Sequence, residues 1–187
     1  EMLERLGRDL PVEIAERYRQ MKEWGLPEDT WHYLLSKNLV GLIDRIGSDL
    51  GFDRRETGTL IGHRFRFLEG RGKVAAGFSY ERLYDLFAFL KKEDLLAPVA
   101  RIMLPGVVSS ASPDFASILA ATGLHRATME EIRKEIRGHA DRFAEVCYNG
   151  SMAGTEDWVM GQLKMKALGT VRLSVVRKAV SEVLEIL

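Results

Sequence analysis

A chain of 187 residues is long enough for one well-packed domain or two small ones, and its 27 basic and 27 acidic side chains leave no net charge. That balance excludes a generally cationic nucleic-acid binder, so any contact with a polyanion must come from local patches. The single cysteine, Cys147, excludes an intramolecular disulfide framework and fits a reducing cytoplasm, and no apolar run approaches the roughly 20 residues of a membrane span. A chain that opens on Glu1 without a basic-then-apolar leader reads as an excised or processed piece of a longer protein.

Apolar residues recur at helical spacing almost throughout. Asp9 and Pro11 supply a cap and a first-turn proline for VEIAERYRQMKEW, which Gly25 stops. A helix over PEDTWHYLL breaks at Lys37 and Asn38 and resumes as LVGLIDRIGSDL, and Asp53 caps another that runs to Gly70. After the glycine-rich GRGKVAAG, Ser79 opens SYERLYDLFAFLKK. EDLLAPVARIML follows, with Pro98 acceptable only in its first turn and Pro105 and Gly106 expected to end it.

The stretch PGVVSSASP, residues 105 to 113, clusters Pro, Gly and Ser without apolar periodicity and reads as a linker between a first part, 1–110, and a second, 111–187. Beyond it come the short helix PDFASILAAT and TMEEIRKEIRGHADRFAEV, whose Thr128 and Glu131 form a capping-box pattern. EDWVMGQLKMKAL and RLSVVRKAVSEVLEIL close the chain on either side of Gly169, the last with Val176, Ala179, Val180, Val183, Leu184 and Leu187 on one face. No alternating run reads as a strand, so the predicted fold class is all-α, in two small helical subdomains.

Catalytic chemistry is not visible. His32, His63, His125 and His139 show no metal-ligand spacing with one another or with Cys147, which reads as a packed thiol, and there is neither a phosphate loop nor a nucleophile elbow. We therefore expect no catalytic residue and no metal site. Two basic concentrations stand out instead. In GHRFRFLEGRGK, Phe65, Phe67 and Leu68 fall on a core-facing arc, Arg66 points away from it, and Arg64 projects into its middle, which implies either a partly buried guanidinium with a partner or a helix edge that lies elsewhere. Arg71 and Lys73 lie beyond, on a glycine turn where backbone can approach a ligand. Between Gly161 and Lys178 there are five cations and no acid. Lys164, Lys166 and Arg172 there, with the loop around Gly169 and the free N–H groups of the last helix, make a second candidate phosphate surface.

These segments resemble a family. LPVEIAERYRQMKEWGLPED is similar to the stretch leading into the C-terminal tail of the B and E subunits of glutamyl-tRNA(Gln) amidotransferase, and WVMGQLKMKALGTVRLSVVRKAV resembles the YqeY-like end of that tail, through Gly161-Gln162, a Lys/Met pair, Gly169 and Val176. FSYERLYDLFAFLKKEDLLAPVARIML looks like the intervening helical pair, and SPDFASILAATGL like the helix joining the two parts. The chain departs from the family pattern at Lys164-Met165, where the order is usually reversed, at Thr170, usually basic, and at Asp157, usually small.

The resemblance implies a cytoplasmic tRNA-binding tail, helical and then YqeY-like, that grips the outer corner of the tRNA on its D-loop side and catalyses nothing itself. A separate cradle outside this chain would use ATP and magnesium to activate the glutamyl group of mischarged Glu-tRNA(Gln). An amidase or asparaginase-like partner subunit would deliver ammonia. Arg66, Arg71, Lys73, Lys164, Lys166 and Arg172 are the expected RNA contacts. A helical protein-protein interaction module without RNA affinity is the main alternative, and a small helical enzyme the other.

Overall fold

The computed structural model describes residues 14–124, 126–146 and 151–185. Asp9, Pro11, His125, Cys147 and Leu187 lie outside the described residues. Ten helices and no strand are found among the described residues, so the fold is all-α.

The first helix, α1 (Ile14–Glu23), ends where Gly25 takes φ +65° and the Leu26 N–H returns to the Met21 carbonyl (3.0 Å). Pro27 and two acidic residues start α2 (Glu28–Ser36), which breaks at the predicted place because Asn38 adopts φ 52°. The following helix, α3 (Val40–Leu50), buries Val40, Leu42, Ile43 and Ile46. Asp53 then caps the Glu56 N–H (2.8 Å), and residues 54–70 form one continuous helix, α4, in three parts: Arg54–Thr59, a π-helical turn Leu60–Phe65, and Arg66–Gly70. It approaches α2 and the segment before it closely. A Cβ at Gly58 would lie 2.4 Å from the Leu26 side chain, and one at Gly62 would lie 2.6 Å from Thr30, so only glycine permits this contact.

Helix α5 (Glu81–Lys92) packs on α3, and Pro98 sits in the first turn of α6 (Pro98–Val108). This helix does not stop at Pro105 as the sequence suggests. Val107 and Val108 are fully buried, the Ala75 N–H takes the Val108 carbonyl (2.8 Å), and α7 (Phe115–Ala121) brings Ile118 so near Gly106 that a Cβ there would be 2.9 Å away. Burial of two valines and a glycine seat for α7 outweigh the single backbone hydrogen bond that an interior proline removes.

The remaining helices are α8 (Met129–Val146), α9 (Met152–Ala167) and α10 (Leu173–Leu184). The capping box opens α8 as expected: Thr128 N–H donates to Glu131 Oε2 (2.7 Å) and Glu131 N–H to Thr128 Oγ1 (3.3 Å). Residues spaced by four, Ile132, Ile136 and Ala140 on α8 and Val159, Leu163 and Ala167 on α9, meet Val176, Ala179 and Val180 of α10 in a three-helix core. The other core runs from Met21 to Val108, and Phe115, Ile118, Leu119 and Leu124 pack against it. The change of core therefore falls between Leu124 and Ala127, on the far side of α7 from residues 105 to 113, because α7 carries its apolar face back to the first part.

The two cores meet at Gly169. Its carbonyl accepts the Leu96 N–H (2.8 Å), its φ is +95°, and a Cβ there would lie 2.3 Å from the Val99 side chain. Nearby, Thr170 donates its hydroxyl to the Ala127 carbonyl (2.9 Å), and Arg126 pairs with Glu93 (2.8 Å). Substituting Gly169→Ala meets both the positive φ and the Val99 methyl, and should cost at least about 2 kcal/mol. Thermal unfolding by calorimetry should show a lowered and broadened transition as the cores uncouple. An unchanged transition would show that Val99 and the backbone adjust freely.

Candidate nucleic-acid interface

A spacing of four and three residues places Asp53, Thr57, Leu60, Arg64 and Phe67 along one stripe of α4. This stripe is one wall of a cleft of about 880 Å³. Ala97, Pro98, Arg101 and Ile102, at the start of α6, form the second wall, and Lys164, Met165, Leu168 and Leu173, on either side of the Gly169 turn, form the third. The cleft thus lies between the two cores. Four cations line it, Arg55, Arg64, Arg101 and Lys164, against the two carboxylates of Asp53 and Glu56. None of the four cations has an ion-pair partner among the described residues. Asp53 is committed to its cap. Desolvation and the neighbouring Asp53 push the Glu56 carboxyl up, while Arg172 opposes the shift.

A shallower groove of about 330 Å³ continues the surface, sharing His63 and Phe67 with the cleft and adding Gly62, Arg66, Gly70 and Arg71. Phe67, expected in the core, is 50% exposed, whereas Phe65 and Leu68 are buried as expected. Phe67 shares the cleft-facing edge of the helix with Leu60 and Arg64, which are only half-buried, rather than the buried line of Ile61, Phe65 and Leu68. The exposed ring carries the guanidinium groups of Arg64 and Arg71, 5.8 and 5.2 Å from its centroid. Arg64 is half-buried, but its contact is this ring, and its Nε has no hydrogen-bond partner. Arg66 is held by the Asp29 carbonyl (3.1 Å) and the Tyr33 ring, and His63 Nε2 lies 3.0 Å from the Asp29 carboxylate.

Arg66, Arg71 and Lys73 are all exposed, and neither Arg71 nor Lys73 is in an ion pair among the described residues. Their turn is fixed from below. The Glu69 carboxylate accepts from Tyr33 (3.0 Å), Tyr80 (3.0 Å) and Lys37 (3.1 Å), tying the end of α4 to α2 and to the start of α5. Burial alone would raise the Glu69 carboxyl, but the three donors outweigh it and hold the group below the usual carboxylate range. Burial and the bond to Glu69 push the Tyr33 hydroxyl the other way, well above its ordinary value.

Of the expected contacts in the second part, Lys164 lines the cleft, and Arg172 immediately precedes Leu173, which also lines it. Lys166 is different. It projects from another face of α9 and pairs with Glu135 of α8, so its charge is neutralised within the second core. The Gly169 turn is also not an open anion-binding loop, since it is buried against Leu96 and Val99. Sequence reading missed Arg55 and Arg101. Arg101 stands alone in the apolar run APVARIML, with no neighbour to mark it, and only the fold brings it to the same cleft as Arg55, Arg64 and Lys164. No group of three or more His, Cys, Asp or Glu among the described residues is placed to hold a metal ion.

Because the Glu69 carboxyl lies below its unfolded value, its stabilisation is complete above about pH 4.3 and is lost as pH falls through the folded value. At neutral pH, Glu69→Gln should speed amide exchange across residues 71–80 and lower the unfolding temperature. The stability gap between the variant and the native chain should begin to narrow below about pH 4.3 and close once the pH is below the folded value. Equal exchange in the two proteins would mean that this network does not order the basic turn.

Comparison with protein-family models, with characterised proteins and with solved structures gives no match.

Proposed function

We propose that this chain is a tRNA-binding helical tail of the kind carried by the B and E subunits of glutamyl-tRNA(Gln) amidotransferase, with the three-helix core of α8 to α10 as its YqeY-like part. The observation that carries the reading is a continuous surface on which Arg55, Arg64, Arg71, Arg101 and Lys164 stand without ion pairs and which crosses from one core to the other. In a chain of zero net charge, such a surface is a local positive field. A-form RNA presents phosphates and 2′-hydroxyls to a protein, and contacts to these position a folded RNA without reading its sequence.

In this reading the chain performs no bond chemistry. ATP and magnesium act in a cradle that these residues do not include, and an amidase or asparaginase-like partner subunit supplies ammonia. The tail holds the mischarged tRNA so that its acceptor end reaches those centres. A second reading, a helical module for a protein partner, is favoured by the exposure of Phe67 and of Met165, which is 63% exposed, on the same surface.

Titration of the chain with a Gln-accepting tRNA and a non-cognate tRNA, each at two salt concentrations, tests the proposal. Affinity should fall steeply with salt, and replacing Arg66, Arg71 and Lys73 with Ala should weaken binding and flatten the salt slope by about one unit per lost phosphate contact. The melting temperature should change little, since exposed charges contribute little to folding. Lys164→Ala should act in the same way, whereas Lys166→Ala should leave tRNA affinity unchanged because its charge is already matched by Glu135. If these substitutions leave tRNA binding by the full-length protein unaltered, the tail reading is wrong.

A further inference from the structure

We propose that the cleft between the two cores receives one unpaired nucleotide of the bound RNA, its phosphate among Arg64, Arg101 and Lys164 and its base against Phe67 and Met165. The proposal rests on the RNA reading above and narrows it from backbone charge to a seated nucleotide.

Two polar atoms in this cleft lack a partner. Thr57 is only 1% exposed and its hydroxyl makes no hydrogen bond, and neither does Arg64 Nε. Both residues line the cleft. A threonine within a helix can return its hydroxyl to the carbonyl four residues back, but the Asp53 carbonyl takes only the Thr57 backbone amide (3.0 Å). Buried polar atoms without partners are uncommon, and two in one cleft point to a ligand with its own donors and acceptors.

The chemistry of the walls defines that ligand. Arg64, Arg101 and Lys164 have no carboxylate partner among the described residues, so an anion can enter without displacing one. The apolar wall is flat rather than deep: the Phe67 ring, with the Arg64 and Arg71 guanidinium groups over it, forms a planar layer of ring and guanidinium beside the exposed Met165. A phosphate joined to a flat heterocycle meets both requirements. Bases in a helix have their faces covered by stacking, so only an unpaired nucleotide can present one to Phe67.

The test compares two labelled RNAs of equal length, a hairpin with an unpaired loop and a blunt duplex, by fluorescence anisotropy with the full chain. The hairpin should bind about tenfold more tightly, the effect expected of one stacked base. Phe67→Leu should abolish that preference while leaving duplex affinity and the salt slope unchanged, and Thr57→Val should reduce it. Phe67 is half exposed, so its variant should fold, and a melting curve run alongside checks this. Equal binding of the two RNAs by the native chain overturns the seated nucleotide but leaves phosphate-based tRNA binding standing. Binding of neither RNA overturns both proposals. A preference for the hairpin that survives Phe67→Leu overturns the assignment to this cleft. Binding of free nucleoside 5′-monophosphates that depends on Phe67, with no preference between the RNAs, overturns RNA as the source of the nucleotide.

Discussion

The contact between the Leu96 amide and the Gly169 carbonyl is the constraint on which the rest of this molecule depends. The buried residues fall into two separate clusters, one on each side of this contact. What joins them is one backbone bond, the close approach of Gly169 to Val99, and the Arg126–Glu93 pair. The cleft has no third wall without this seat, because Lys164, Met165, Leu168 and Leu173 lie on either side of the same turn. A feature of local backbone geometry, a glycine at φ +95°, thereby sets the distance between charges that are more than 60 residues apart in sequence.

Zero net charge conceals an uneven use of charge. Arg45 is matched by Glu81, Arg54 by Asp44, Lys166 by Glu135, and Arg177 by Asp157. These pairs are exposed or half-exposed and contribute little to stability individually. Their larger effect is on the field, because each neutralises a cation away from the cleft and leaves Arg55, Arg64, Arg71, Arg101 and Lys164 unmatched on one surface. Pairing decides which cations can act on a partner, and pairing is a property of the fold rather than of composition.

Helix positions were legible in the sequence where local chemistry decides them. The Asp53 cap, the Thr128/Glu131 box, the break at Asn38 and the stop at Gly25 all act within a few residues of themselves. Pro105 misled because its local preference is outweighed by contacts with residues 75 and 118. Phe67 misled because the covered arc is narrower than the apolar one: Phe67 lies with Leu60 and Arg64 at the edge, and of this arc only Ile61, Phe65 and Leu68 are covered by the core. At the candidate site, Arg66, Arg71, Lys73 and Lys164 stood out as clustered cations. Arg55 and Arg101 did not, and Lys166 could not be set apart from Lys164, since the distinction lies in Glu135 on another helix.

The π-helical turn carries a consequence for chains related to this one. Such a turn amounts to roughly one residue more than an α-helix needs, and one residue of helix is about 100° of rotation. Loss of a single codon between residues 60 and 65 would restore regular pitch and leave Arg66, Phe67 and the Glu69 anchor facing as they do, because the turn already absorbs the extra residue. The same deletion in a regular stretch of α4 would instead rotate everything after it by about 100°. A related chain with one residue fewer in this turn would carry the same charges facing the same direction.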